Sequence, residues 1–134
     1  MASKKKAKEP ALFFYKKVIK IPIYGGNFII LFSNDPKKIG NIIHTHESNV
    51  GYIYAMTFHN FLYGAYESFA VCFNFWDINP ITMGTIVHEV THAGNRVLAN
   101  REVIPDWEND EAECYLKGWM ADEVAHFMTQ CGLG

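Results

Sequence analysis

The chain is short of cysteine, of charge and of long apolar runs, and each shortage removes a class of protein. Cys72, Cys114 and Cys131 are odd in number and form no CxxC pair, so neither a disulfide framework nor a cysteine-cluster zinc site is expected. Free, reduced thiols fit a cytoplasmic setting. No stretch approaches the ~18 consecutive apolar residues of a membrane span. Met1–Pro10 is polar and lacks the apolar core of a secretory signal, so no membrane association is expected. Charged residues make up 19% of the chain and the net charge is −2, which gives no general attraction to nucleic acid. The one basic cluster, Lys4, Lys5, Lys6 and Lys8, reads as a solvated tail, with docking on an acidic partner as the sharper alternative.

What remains is a chain of 134 residues that is 49% hydrophobic and 15% aromatic, enough for one domain with its own core. The expected organisation is a flexible tail over 1–10 and a single domain over 11–134. Aromatic and β-branched residues fill 11–33 and break at Gly25-Gly26-Asn27, predicting a hairpin of strands near 12–23 and 28–32. Ser33-Asn34-Asp35-Pro36 announces a helix that ends near Glu47. Two further strands are predicted at 51–58 and 67–75, joined by a loop from His59 to Tyr66. In the second, Phe69, Val71, Phe73 and Phe75 alternate with Ser68, Ala70, Cys72 and Asn74. Helices are predicted over about 80–100, started by Asn79-Pro80, and over about 108–130. The fold class is α+β: an antiparallel sheet of about four strands on a central helix, with two further helices.

The central helix carries His88-Glu89-Val90-Thr91-His92, which reads HExxH. Residues four apart lie one turn apart on one helical face, so the two imidazoles converge on one point. Zinc accepts imidazole nitrogen at roughly 2.0–2.1 Å, and the adjacent carboxylate is placed to take a proton from water. Ile86, Val90, Ala93 and Val97 recur at helical spacing as the core face, with the His pair beside it. The alternative is two histidines that hydrogen-bond locally.

A catalytic zinc ordinarily has three protein ligands. The extended pattern HExxHxxGxxH is absent, because Asn95 stands where it needs Gly and Leu98 where it needs His. A carboxylate from the following helix is the other common solution. Glu111 shares a four-residue stripe with Tyr115 and Trp119, which is expected to face the core. Glu113 precedes Lys117 by four residues and also fits a capping box with Asp110. Glu111 is therefore the expected third ligand, with Glu113 the lesser candidate. Elsewhere, His44 and His46 read as a solvated helix end, Arg96 as a surface residue, and Trp107 and Trp119 as core aromatics. His59 and Tyr66 are weaker candidates for stabilising an oxyanion.

HEVTHAGNRVL followed by NDEAECYLKGWM resembles the gluzincin arrangement, an HExxH helix and then a Glu on the next helix. It is more closely similar to small phage-encoded and bacterial zincin-like metallopeptidases, in which Glu-Ala opens that next helix and an aromatic follows. Glu111-Ala112 and Tyr115-Leu116 are the matching residues, and the likeness spans about 68–128. It implies a minimal zincin-like fold, Zn2+ held by His88, His92 and Glu111, and Glu89 as general base. The implied substrate is a peptide or protein, with a phage or host protein as partner, and the strand at 67–75 resembles the edge strand that binds extended peptide in such folds. In the thermolysin-like branch an Asp follows four residues after the Glu ligand; Tyr115 occupies that place here. The function expected is zinc-dependent peptide hydrolysis. The alternative is a catalytically silent, zinc-stabilised binding or virion-associated protein.

Overall fold

A computed structural model describes residues 11–43, 55–63, 66–75 and 81–134. The tail at 1–10, the His44/His46 pair, Gly64 and Asn79-Pro80 lie outside these. The elements run β1 (Phe14–Lys20), β2 (Asn27–Ser33), α1 (Pro36–Ile43), β3 (Ala55–Tyr63), β4 (Tyr66–Asn74), α2 (Met83–Asn100) and α3 (Glu111–Gln130). The class is α+β, with a mixed sheet in the order β1-β2-β4-β3.

Two expectations about the sheet are corrected. It is not purely antiparallel, because β2 and β4 pair in parallel from Asn27↔Ser68 to Ser33↔Asn74. Nor is β4 an edge, because it pairs with β2 on one side and β3 on the other. The cause lies in its second face. Ala70, Cys72 and Asn74 are as buried as Phe69, Val71 and Phe73, so both faces of β4 are covered, as is usual for a strand inside a parallel pair. β2 follows the same logic, with Phe28, Ile30 and Phe32 in the core beneath the two long helices and Ile29 and Leu31 buried on the opposite face. Much of the expected His59–Tyr66 loop is strand, since β3 continues to Tyr63 past a bulge at His59/Phe61.

The β1–β2 turn comes earlier than the glycines suggest. Pro22 has no N–H to give a ladder, and the chain turns over Pro22–Gly25, closed by Ile21 N–H to Gly26 O at 3.0 Å and Tyr24 N–H to Pro22 O at 2.6 Å. Ile23, Gly25 and Gly26 all have positive φ, at 67°, 74° and 80°. The two glycines adopt this readily; a β-branched residue does not. A Cβ at Gly26 would lie 3.0 Å from Glu67 O, so that glycine also permits a close approach to β4.

Helix α2 begins three residues later than the Asn79-Pro80 signal. Thr82 is the N-cap, and its Oγ1 accepts from Thr85 N–H at 3.2 Å. At the other end Glu102 takes φ 59°, Glu102 N–H bonds Ala99 O and Val103 N–H bonds Leu98 O, a left-handed cap that satisfies the last carbonyls. Ile86, Val90, Ala93, Val97 and Leu98 face the core with Leu116, Met120, Val124 and Met128 of α3. The expected Asp110–Glu113 capping box is absent, since Asp110 makes no side-chain cap bond. Glu113 is ion-paired with Lys117 instead. Trp119 packs on Phe28 at 5.9 Å, whereas Trp107 is 96% exposed and not a core residue.

Arg101 ties three segments together. Its Nη1 donates to Glu67 Oε2 at 2.8 Å, its Nε to Tyr24 O at 2.8 Å and its Nη2 to Gly25 O at 3.5 Å, while Asn100 Nδ2 donates to Glu67 Oε1. The end of α2, the start of β4 and the β1–β2 turn thus share one guanidinium. Removing it takes one of the donors from a half-buried carboxylate and a donor from each of two carbonyls. Arg101→Ala is expected to cost about 2 kcal/mol of stability, measured by urea unfolding; a cost below about 0.5 kcal/mol would mean that the clamp is idle.

Candidate metal centre

His88 and His92 are brought together as their spacing requires. Their Nε2 atoms are 3.2 Å apart, with ring centroids 4.8 Å apart and planes at 77°. Two zinc–nitrogen bonds of roughly 2.0–2.1 Å at a near-tetrahedral angle separate the nitrogens by about 3.3 Å. The observed spacing fits a zinc ion shared by the two imidazoles. The same distance also suits a hydrogen bond between a donor and an acceptor tautomer. Both rings are on the exposed side of α2, open to solvent.

Glu89 is placed differently from its neighbours. It is only 7% exposed, and its Oε1 is 4.0 Å from His88 Nε2. A 100° step per residue turns it from the His face toward the side of α2 that lies over β3 and β4. Its carboxylate therefore approaches the space in front of the His pair from the core side, with its mobility restricted by packing. Arg96 is exposed and forms no ion pair among the described residues.

Glu111 is not brought to this pair. Among the described residues no group of three or more His, Cys, Asp or Glu side chains is arranged to hold a metal ion. Two physical reasons account for it. First, the buried stripe of α3 is Leu116, Met120, Val124 and Met128, so Glu111 and Tyr115 face solvent. Second, α3 runs antiparallel to α2, with Lys117 against Gly94 and Asp110–Glu113 near Asn95, Leu98 and Ala99. At 1.5 Å per residue, Glu111 lies about 9 Å from the Gly94–Lys117 crossing toward one end of the hairpin, and His88 about 9 Å toward the other. The lesser candidate, Glu113, is bound to Lys117. His59 and Tyr66 lie at the β3–β4 end of the sheet.

All three cysteine thiols are held above their ordinary value. Burial pushes the Cys72 thiol up to about 12, and the nearby Glu89 charge adds to the shift. Its Sγ donates to Asn74 Oδ1 at 3.7 Å. Cys131 is raised by partial burial, and Cys114 by desolvation and then by Asp110, Glu111 and Glu113. Cys72 has a consequence for stability. An unfolded thiol ionises near 9, while the folded one keeps its proton to about 12. The native state thus holds more protons in that window, and stability falls as pH rises through it. Cys72→Ala is expected to flatten the alkaline limb of a stability–pH profile while leaving the slope below pH 9 unchanged; an equally steep limb in the variant would assign the loss to other groups.

No family model, curated protein or solved structure matches the chain. Among the described residues no helix is long and apolar enough to cross a membrane.

Proposed function

We propose that this chain is a zinc-dependent hydrolase of the HExxH type, acting on peptide bonds. The observation that carries the reading is the 3.2 Å separation of the two Nε2 atoms with a buried carboxylate 4.0 Å from one of them. A carboxylate packed beside two solvent-facing imidazoles is the arrangement that a general base next to a metal site requires. The likeness of HEVTHAGNRVL to zincin-like metallopeptidases supports the same conclusion.

In this reading His88 and His92 would hold the metal. When bound, zinc supplies a Lewis-acid charge. Glu89 accepts a proton from water at a carboxylate oxygen and returns it to the leaving amine. Packing around Glu89 keeps that oxygen in place through both transfers. Glu111 has no part in it; the described residues provide two imidazoles and one base. The strand edge open to an extended substrate on the α2 side is that of β3, which pairs only with β4 among the described residues. β4 is internal and cannot take a further strand. A peptide laid along β3 would gain main-chain hydrogen bonds while its scissile carbonyl faced the His pair.

The experiment is hydrolysis of a mixed peptide library by protein whose zinc content has been measured. Cleavage abolished by a chelator and restored by zinc supports the reading. Zinc-loaded protein that leaves the whole library intact defeats it, and a zinc-stabilised binding protein then stands in its place.

A further inference from the structure

The β1–β2 turn and α3 enclose an apolar groove of about 350 Å³ lined by Pro22, Ile23, Tyr24, Tyr115, Leu116 and Trp119. None of these residues belongs to α2, so the groove is separate from the His pair. We propose that it docks a basic segment of a partner protein that carries an apolar anchor residue.

Four observations converge. Ile23 is 98% exposed and has φ 67°. A β-branched residue in that conformation is strained, and the strain is not repaid by burial, since the side chain touches water on every side. Strain of this kind persists where surrounding structure enforces it, and here Arg101 enforces it. By holding Tyr24 O and Gly25 O, with its own guanidinium anchored to Glu67, Arg101 fixes the turn and presents Ile23 as a rigid apolar knob. A preorganised anchor loses little freedom on binding.

The third observation is the opposite wall. Tyr115 is 74% exposed, and with Trp119 one turn later it forms an aromatic rim of the sort enriched at binding hot spots. Contiguous exposed apolar residues around a concavity mark interaction sites more often than solvent-facing surface. The fourth is charge. Glu111 lies one turn before Tyr115 on the same stripe, and the exposed Asp106 and Asp110 line an adjoining concavity that shares Ala112 with the groove. Among the described residues no Lys or Arg forms an ion pair with any of these three. Lys20, the nearest cation in sequence to the turn, belongs to the opposite face of the sheet, in register with Asn27 beside Ile29 and Leu31. An apolar slot with an uncompensated acidic approach selects a cationic, apolar-anchored segment and repels nucleic acid and anionic lipid.

The test uses the full chain and three fluorescently labelled synthetic peptides of equal length. One interleaves Lys with Leu and Phe, one is Lys with Ser, and one interleaves Glu with Leu and Phe. The first is expected to bind saturably, and more weakly as salt is raised; the other two are expected to bind at least about tenfold more weakly. Tyr115→Ala and Ile23→Asn are each expected to weaken the first peptide at least about tenfold. Ile23→Asn is also expected to raise Tm, because Asn tolerates a left-handed φ, so lost binding cannot be assigned to lost folding. The proposal is overturned if the first peptide does not bind, if the Lys–Ser or Glu peptide binds as tightly, or if both variants bind like the parent. It is also overturned if the chain alone forms a dimer that Tyr115→Ala dissolves, since the groove's occupant would then be a second copy.

Discussion

Glu89→Gln is expected to keep zinc bound and to lower peptide hydrolysis by at least about a hundredfold, the usual scale for a general base. The amide matches the carboxylate in size and hydrogen-bonding reach but cannot take a proton. Because Glu89 is 7% exposed, Tm is measured beside activity for this variant. Folding and catalysis are thereby separated: a variant that is as stable as the parent, equally metallated and inactive has lost the base alone. Retention of more than about a tenth of the activity would remove Glu89 from the chemistry. The assay requires cleavage by the parent first, and kcat is the informative constant, since a base that acts only in the transition state leaves binding unchanged.

His88→Ala or His92→Ala should abolish stoichiometric zinc binding. Each removes one of the two imidazoles whose nitrogens are 3.2 Å apart, and a single remaining ring on a solvent-facing helix has no chelate partner. Glu111→Ala is expected to leave zinc content unchanged, because Glu111 lies at the far end of the α2–α3 hairpin and faces solvent. Metal analysis after dialysis reads all three variants. Zinc lost from Glu111→Ala but kept in the parent would mean that α3 repacks when metal binds. Zinc retained in both His variants would mean that the pair is only a hydrogen-bonded contact.

The HExxH pair was legible because it depends on one helix only. A four-residue spacing, a core face at Ile86, Val90, Ala93 and Val97, and no helix breaker within the turn are local facts. The alternation of Phe69, Val71 and Phe73 was equally local and placed one face of β4 correctly. What failed depended on partners distant in sequence. Nothing within β4 distinguishes a small residue facing solvent from one packed under a second layer, so Ala70 and Cys72 concealed an internal strand. The expectation that Glu111 faces the core rested on a choice between stripes on α3, and the structure puts that residue on the exposed one. Glu111, Tyr115 and Trp119 looked apolar because two are aromatic, yet the next step of that stripe is Glu123. The competing stripe, Leu116, Met120, Val124 and Met128, is aliphatic without interruption, and that continuity was the better signal. The Arg101–Glu67 clamp left no sequence trace, since its two members lie on different elements with no motif between them.

The parallel pairing of β2 with β4 governs how the chain must fold. Its partners, from Asn27↔Ser68 onward, are roughly forty residues apart, so the whole intervening segment must be closed into a loop before the first of these bonds forms. The β1–β2 hairpin, the β3–β4 hairpin and the α2–α3 pair need no such closure. Each can assemble early from neighbouring residues, but none buries both of its faces alone. The joining of the hairpins along β2 and β4 is therefore the slow step, reached only after local pieces exist and rewarded by the contact of Phe32 with Phe73 across the new seam. Until that seam closes, two unpaired strand edges rich in Phe, Ile and Val stand open to other chains.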